Sequence, residues 1–401
     1  MQRTGWLAAG AVITAAAVHL VWRDPQAAVF LAARLAPILV FVTAMSVVVN
    51  LAADAGVFTA VTRRVTVRAG ALGPTARRWW TWAVSMSLAV VSTIFLSLDT
   101  TVLLITPLVI ALARHTGVNV TALALGVVWV ANLGSLLLPV SNLTNLLAVS
   151  GDVIDSQSHY MALSWVPATV ALVLALAASA IALRMSADPS PTTTDSVAGT
   201  TSPVLRASLV VLVLLLPLLA SPVPFWLSST VAAGALIALF LRHPVHRRSL
   251  TSALVPWSSL ALITVLSTVA ASIHSTGADA LVRDAFQTAT PAPGFGSSFM
   301  ELMSVSAAGG ILSNIVNNIP AYLALEPAAG TAASLMSLLV GVNAGPVITP
   351  WASLATVLWA DQLRRAAIPV PWRTFIYVGL VLAPLAVVGP VAAISFLPWG
   401  E

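Results

Sequence analysis

Two stretches of this chain match each other: residues 132–145 read NLGSLLLPVSNLTN, and residues 343–356 read NAGPVITPWASLAT. At an offset of 211 they agree at four positions, which in the first copy are Asn132, Gly134, Pro139 and Leu143. A proline inside a helix removes a backbone donor and clashes with the preceding turn. Each stretch is therefore predicted to interrupt a helix and to leave free backbone groups beside polar side chains.

The composition around these stretches is that of a membrane protein. The chain has 401 residues, of which 59% are hydrophobic and 8% are charged, whereas about a quarter of the residues of a soluble domain are charged. The apolar runs are long enough to cross a bilayer, which takes roughly 20 residues per helix. Backbone groups in lipid must be bonded within the segment, so these runs are expected to be helices. We predict an all-α polytopic membrane protein.

The apolar runs and the basic loops between them predict a topology. The runs lie at residues 5–22, 29–57, 79–97, 100–113, 120–150, 160–183, 204–220, 224–241, 254–273, 297–327, 332–363 and 374–397. Three arginine clusters separate them: Arg63, Arg64, Arg68, Arg77 and Arg78; Arg242, Arg247 and Arg248; Arg364, Arg365 and Arg373. The positive-inside rule places all three in the cytoplasm. This distribution in short loops argues against nucleic-acid binding.

The arginine positions are satisfied by about nine crossings plus two re-entrant hairpins. Residues 79–113 form the first hairpin and residues 297–327 the second, and the broken helices span 120–150 and 332–363. The alternative, in which 79–113 makes two full crossings, needs an exterior turn at Ser97-Leu98-Asp99-Thr100, which is short and apolar. By this count the two halves run in opposite directions, so they are predicted to be inverted repeats.

The same count divides the chain into two halves in the inner membrane. Residues 1–184 form the first half, 185–203 a polar cytoplasmic linker, and 204–401 the second half. The N-terminus is predicted to be cytoplasmic. The run at 5–22 is longer than the core of a cleaved signal peptide, which favours a retained helix.

The paired interruptions also predict where a solute binds. Helices broken by Gly and Pro at corresponding positions of two inverted halves are typical of the binding site of a secondary transporter. Free N–H groups suit an anion or an oxygen-rich solute, and free carbonyls suit a cation or a proton donor. The alternative is that these polar residues only hold helices together.

Asp99 is the acid expected deepest in the membrane, at the tip of the first hairpin. An ionisable residue there is a functional candidate, because a carboxylate withdrawn from water can carry a proton. Asp also suits a helix start, and the two roles are compatible. Arg34 and Glu326, by contrast, are expected to reach toward the membrane surface. We expect no cofactor, no metal site and no ATP-binding loop, and therefore no enzyme.

Four motifs give the chain a family resemblance. They are Leu98-Asp99-Thr100-Thr101 with Ile105-Thr106-Pro107-Leu108, then residues 138–145, 312–320 and 345–356. These motifs resemble those of ArsB-type arsenite permeases, within the ion-transporter superfamily that includes dicarboxylate–sodium symporters and NhaD-type antiporters. The resemblance implies a scaffold domain, a moving transport domain with two hairpins, and export of arsenite or antimonite in exchange for protons.

Carried over residue by residue, the resemblance implies that polar side chains of both halves line the substrate site. They are Asn132, Ser141, Asn142, Asn145, Ser313, Asn314, Asn317, Asn318, Thr349, Ser353 and Thr356, with Asp99 for ion coupling. The expected partners are a small inorganic solute, protons and the bilayer. A homodimer and a soluble ATPase subunit stay open.

Two other functions stay in view. A sodium- or proton-coupled carrier of another inorganic ion or a carboxylate could use the same fold. A dianion would call for Lys or Arg near the two motifs, and the sequence places none there. A membrane enzyme or receptor would need a catalytic constellation or a soluble output domain, and the longest polar stretch is the 185–203 linker.

Overall fold

The helices of this chain follow the predicted apolar runs closely. The computed structural model describes residues 3–188, 202–289 and 297–396. The first half contributes α1 (Arg3–Arg23), α2 (Pro25–Asp54), α3 (Val57–Gly70), α4 (Pro74–Leu96), α5 (Leu98–Thr116), α6 (Val120–Leu133), α7 (Leu143–Val149) and α8 (Gln157–Met185). The second half contributes α9 (Pro203–Leu219), α10 (Phe225–Arg242), α11 (Trp257–Ile273), α12 (Asp279–Ala289), α13 (Ser297–Val316), α14 (Asn318–Leu325), α15 (Ala332–Ala344), α16 (Leu354–Arg365) and α17 (Trp372–Ser395).

Helix length and composition confirm a polytopic membrane protein. Within the described residues, eight helical segments are long and apolar enough to cross a bilayer, and four apolar segments are shorter. The shorter ones include α6 and α15, the first parts of the two predicted broken helices. Both arms of the first hairpin are among the eight, so its re-entry at mid-membrane stays a prediction.

Both predicted hairpins turn at a single residue. Ser97 separates α4 from α5 with a φ of 91°, and Asn317 separates α13 from α14 with a φ of 114°. Each residue caps the second arm, since its side chain accepts a hydrogen bond from a backbone N–H of that arm. The arms of the first hairpin pack together, and the Thr93 hydroxyl donates to Thr101 at 3.2 Å. The tips therefore lie where the sequence places them.

The helices form two groups in contact. Helices α1, α2, α9, α10 and α11 pack on one another, and the two hairpins, the two broken helices, α8 and α17 form the other group. The groups meet where α7 contacts α2 and where α14 contacts α11. The resemblance implies a scaffold part and a transport part, and their assignment to these two groups stays a prediction.

Two segments differ from the sequence-based expectation. Residues 57–70, read as a basic loop, form the helix α3, and α12 follows α11 after a kink at Gly277. Both carry charged residues along one side, which hid them from a search for apolar runs. Most of the predicted linker, residues 189–201, lies outside the described residues. Opposite directions of the two halves stay a prediction.

Candidate functional site

The first interruption separates α6 from α7, and its polar residues bond across to the second half. Asn142 is the N-cap of α7, and its Oδ1 accepts from the Thr144 N–H at 3.3 Å. Its Nδ2 donates to Asn343 Oδ1 at 2.9 Å and to Ser135 Oγ at 3.3 Å. Asn343 belongs to α15, so the start of α7 is held by a side chain 201 positions further along the chain.

Asn343 is the centre of this buried network. Its Oδ1 also accepts from the Thr144 hydroxyl at 2.6 Å, and its Nδ2 donates to Asn145 Oδ1 at 2.6 Å. Asn145 Nδ2 in turn donates to the carbonyl of Ser135 at 2.7 Å. The network consists of four residues that are each at most 2% exposed: Asn142, Thr144, Asn145 and Asn343. Buried amides bonded in this way fix one another's orientation, so the break is rigid on one side.

The second interruption, between α15 and α16, is bonded to its own hairpin. Asn314 Nδ2 donates to the carbonyls of Gly310 and Gly345 at 2.8 and 2.9 Å. Its Oδ1 accepts from the N–H groups of Ile348 and Thr349 at 3.2 and 3.0 Å. One amide thus satisfies three backbone groups of the opened segment. Gly345 is required for this approach, because a Cβ there would lie 2.7 Å from Gly310 Cα.

The hairpin tip adds further bonds to this second interruption. Asn317 Nδ2 donates to the Trp351 carbonyl at 3.0 Å, and the Asn318 N–H donates to the Ala352 carbonyl at 2.9 Å. The side chain of Asn318 is 3% exposed, and its Oδ1 has no partner among the described residues. An unpaired buried carbonyl oxygen is costly, so this atom is a polar group that the described hairpin contacts leave unsatisfied.

The remaining predicted residues make local hydrogen bonds, and one of them also has a buried polar atom without a partner among the described residues. Ser353 caps α16, and its hydroxyl lies 3.3 Å from that of Thr356, with both residues fully buried. Ser141 donates to the Ile94 carbonyl of the first hairpin at 2.7 Å, whereas Ser313 bonds within its own helix. Asn132 also bonds within its helix, and its Oδ1 is buried without a partner in the described part of the chain.

A cavity of about 340 Å³ joins the first hairpin tip to both second half-helices. Leu143 of α7 and Leu354 of α16, which correspond at the offset of 211, both line it. Asp99 lines it as well, and its Oδ1 is buried without a hydrogen-bond partner in the described ranges. Asp99 lies in the first turn of α5, where the helix dipole favours a negative charge.

The opposite wall of the cavity comes from α2 and the start of α11. Ser46, Asn50, Ser258 and Ser259 supply its polar groups. They could not be predicted from the sequence, because a single Ser or Asn in an apolar run carries no spacing pattern. Among the described residues that line the cavity, Asp99 alone is charged. The space therefore presents one acid, several hydroxyls and a mostly apolar surface.

A second polar contact was missed entirely by sequence reasoning. Arg34 and Glu326 form an ion pair, with side-chain exposures of 11% and 23%. The two are 292 positions apart, so no local pattern links them. A buried charge persists when an opposite charge meets it, whereas their position relative to the membrane surface stays a prediction.

Paired interruptions, paired hairpins and a cavity between two groups of helices are the architecture of a membrane transporter of the ion-transporter kind. The chain belongs to the citrate transporter family (CitMHS), whose model matches residues 4–358.

Curated relatives agree with this class. The chain is similar to the arsenical pump membrane proteins of Escherichia coli (strain K12) and of Shigella flexneri, each 26% identical over 337 residues. It is 25% identical over 341 residues to the arsenical pump membrane protein of Yersinia enterocolitica. Each match covers 76% of this chain and 74% of the relative. The resemblance stated from the motifs is thereby confirmed.

Proposed function

We propose that this protein exports neutral metalloid hydroxides, arsenite and antimonite, across the inner membrane in exchange for protons. The observation that carries the proposal is the cavity where the starts of α7 and α16 meet Asp99. The names of the curated relatives support the same solute class. As(OH)3 is neutral near pH 7 and is held by hydroxyl and amide hydrogen bonds, which the Ser, Thr and Asn side chains of the cavity lining offer.

The family description favours a second candidate, citrate, and the charges argue against it. Citrate is a tricarboxylate, and carboxylates are bound best by Arg or Lys in paired geometry. The charged residue of the described cavity lining is an acid. Arg34, a cation within α2, is already paired with Glu326. A neutral solute meets no such repulsion.

Asp99 is proposed as the group that carries the proton. Asp99 lines a mostly apolar cavity, and its Oδ1 is buried without a hydrogen-bond partner in the described residues. A hydroxylated solute in the cavity can donate a hydrogen bond to the carboxylate. Binding of solute and binding of a proton would then exclude each other at one group, which is what an exchanger needs.

The arginine clusters orient this arrangement. Ser46 and Asn50 lie near the end of α2 that leads to Arg63 and Arg64, and Ser258 lies near the loop of Arg247 and Arg248. With these clusters in the cytoplasm, the cavity lies toward the cytoplasmic side and the N-terminus is cytoplasmic. An exporter resting in this state would have its site available to cytoplasmic solute.

The test is transport in two settings. In an arsenite-sensitive host, expression should raise resistance to arsenite and antimonite. Everted vesicles should take up arsenite when their interior is acidic and should stop when the pH gradient is collapsed. Asp99→Asn should reduce this uptake to background with unchanged insertion, because the amide cannot exchange a proton. Citrate or sodium uptake, with no arsenite uptake, would overturn the proposal.

A matched control is Asp361→Asn. Asp361 is paired with Arg365 on the outside of α16, with side-chain exposures of 43% and 72%. The same acid-to-amide change there should leave uptake and its pH dependence unaltered.

A further inference from the structure

The Arg34–Glu326 ion pair lies on the N-terminal side of the Asp99 cavity along α2. The cavity is lined on this helix by residues from Phe41 to Asn50, which follow Arg34 by 7 and 16 positions. At 1.5 Å per residue, Arg34 is about 10 Å from the near edge of the cavity and about 24 Å from its far edge along the helix axis. The topology from the arginine clusters puts Arg34 toward the external side.

Arg34 holds two elements of the other helix group at once. Its Nη1 donates to Glu326 Oε2 at 3.3 Å, and its Nη2 pairs with the other carboxylate oxygen. Its Nη2 and Nε donate to the Leu147 carbonyl at 2.6 and 3.1 Å. The Tyr322 hydroxyl donates to Glu326 Oε1 at 2.9 Å. A planar guanidinium can satisfy a carboxylate and a carbonyl together, which an ammonium cannot do as well.

These contacts tie α2 to the parts that carry the site. Leu147 lies near the end of α7, the helix of 7 residues whose N-cap is Asn142. Glu326 directly follows α14 of the second hairpin. When the two helix groups change their relative position, Arg34 must release both acceptors. A partly buried charge left without its partner is costly, so these contacts stabilise the present position of the two helix groups.

We propose that Arg34, Glu326 and the Leu147 carbonyl form a gate that closes the external end of the interface between the helix groups while the Asp99 cavity is open. The gate rests on the proposed transport cycle, in which the site is exposed to each side in turn. Opening the gate exposes the end of α7 to the external solution, and closing the cavity accompanies it.

The chain has no cysteine, so single cysteines report accessibility without a background. Ala148 follows Leu147 and is fully buried behind the gate, which makes Ala148→Cys the reporter. A membrane-impermeant maleimide is added to right-side-out vesicles, and the labelling rate is measured. In the Glu326→Gln background it should rise on the order of tenfold, because a charge-assisted bond that favours the closed state is lost.

Two controls separate a gate from general loosening. Ala175→Cys is an equally buried reporter on α8, away from the gate, and its labelling should not change with Glu326→Gln. Asp361→Asn makes the same chemical change at an exposed pair and should not alter labelling of Ala148→Cys. Should Glu326→Gln fail to insert, Arg34→Lys keeps the charge but loses the forked geometry, and the same rise is expected.

The outcomes are distinct. Labelling that rises at Ala148→Cys alone supports the gate, and labelling that is unchanged or rises equally at Ala175→Cys overturns it. The readout needs no solute, so it is independent of arsenite uptake. Unchanged labelling with normal arsenite uptake removes the gate and leaves the proposed function, whereas raised labelling without arsenite uptake removes the proposed solute and leaves the gate.

Discussion

The two interrupted helices have matching sequences but differ in what holds them. The first interruption, between α6 and α7, is bonded to Asn343 of the other half. The second, between α15 and α16, is bonded to Asn314 and Asn317 of its own hairpin. The first therefore depends on contact between the halves, whereas the opened backbone of the second is bonded mainly within its own half. Pseudo-symmetry of sequence does not impose symmetry of hydrogen bonding.

Asn132 and Asn343 show the difference at a single aligned position. Asn343 makes three side-chain bonds to the first half. Asn132 bonds to the Val128 carbonyl of its own helix, and its Oδ1 has no partner within the described ranges. Position 132 therefore lacks the contacts to the other half of the chain that position 343 makes.

The largest expected effect comes from Asn343→Ala. It removes the partner of the Thr144 hydroxyl and of Asn145 Oδ1, both fully buried. Unsatisfied buried groups cost about 1–3 kcal/mol each, so the free energy of unfolding should fall by about 3 kcal/mol. Thermal unfolding in detergent, followed by tryptophan fluorescence, measures the loss. An unchanged unfolding temperature would show that the first interruption does not depend on the second half.

A smaller effect is expected from Asn314→Ala. The opened segment would lose the Gly345 carbonyl contact and the two N–H contacts of Ile348 and Thr349. Asn314 is only partly buried, so water can replace part of this bonding, and we expect a loss of about 2 kcal/mol. The same unfolding assay applies. A loss larger than that of Asn343→Ala would reverse the comparison between the two interruptions.

The smallest effect on stability is expected from Asn132→Ala. A single bond to the Val128 carbonyl is lost, and a buried oxygen without a partner is removed with it. The two contributions oppose each other, so the change should stay below about 1 kcal/mol. Arsenite uptake should nevertheless weaken, with a raised KM, if Asn132 Oδ1 is free for the solute. Equal losses of unfolding free energy for Asn132→Ala and Asn343→Ala would show that the two positions are equivalent.

Much of the architecture could be predicted because its signals are local. A run of apolar residues specifies a helix in lipid, and Gly and Pro specify where it opens, so the breaks after Asn132 and Asn343 were found from the chain alone. The turns at Ser97 and Asn317 were found as polar tips between apolar arms. The helices α3 and α12 do not appear as apolar runs because each carries charged residues along one side.

The residue types of the candidate site could be predicted from the sequence, but their hydrogen-bond partners could not. The repeat marks Asn343 but does not place it among the site residues, although it bonds three of the side chains around the first interruption. The resemblance places Ser313 in the site, although its hydroxyl bonds within its own helix. An asparagine in an apolar run carries no information on which distant group it will meet.

The sequence by itself determined the membrane-spanning class, the positions of the helices, and the two places where helices open, since each follows from the cost of polar groups in lipid over a few neighbouring residues. Tertiary structure alone decided that Leu143 and Leu354 share one cavity with Asp99, that Asn343 closes one interruption while Asn132 stays free, and that Arg34 meets Glu326. These pairings join residues about 200 to 300 positions apart, and their energy exists only once the helices have packed.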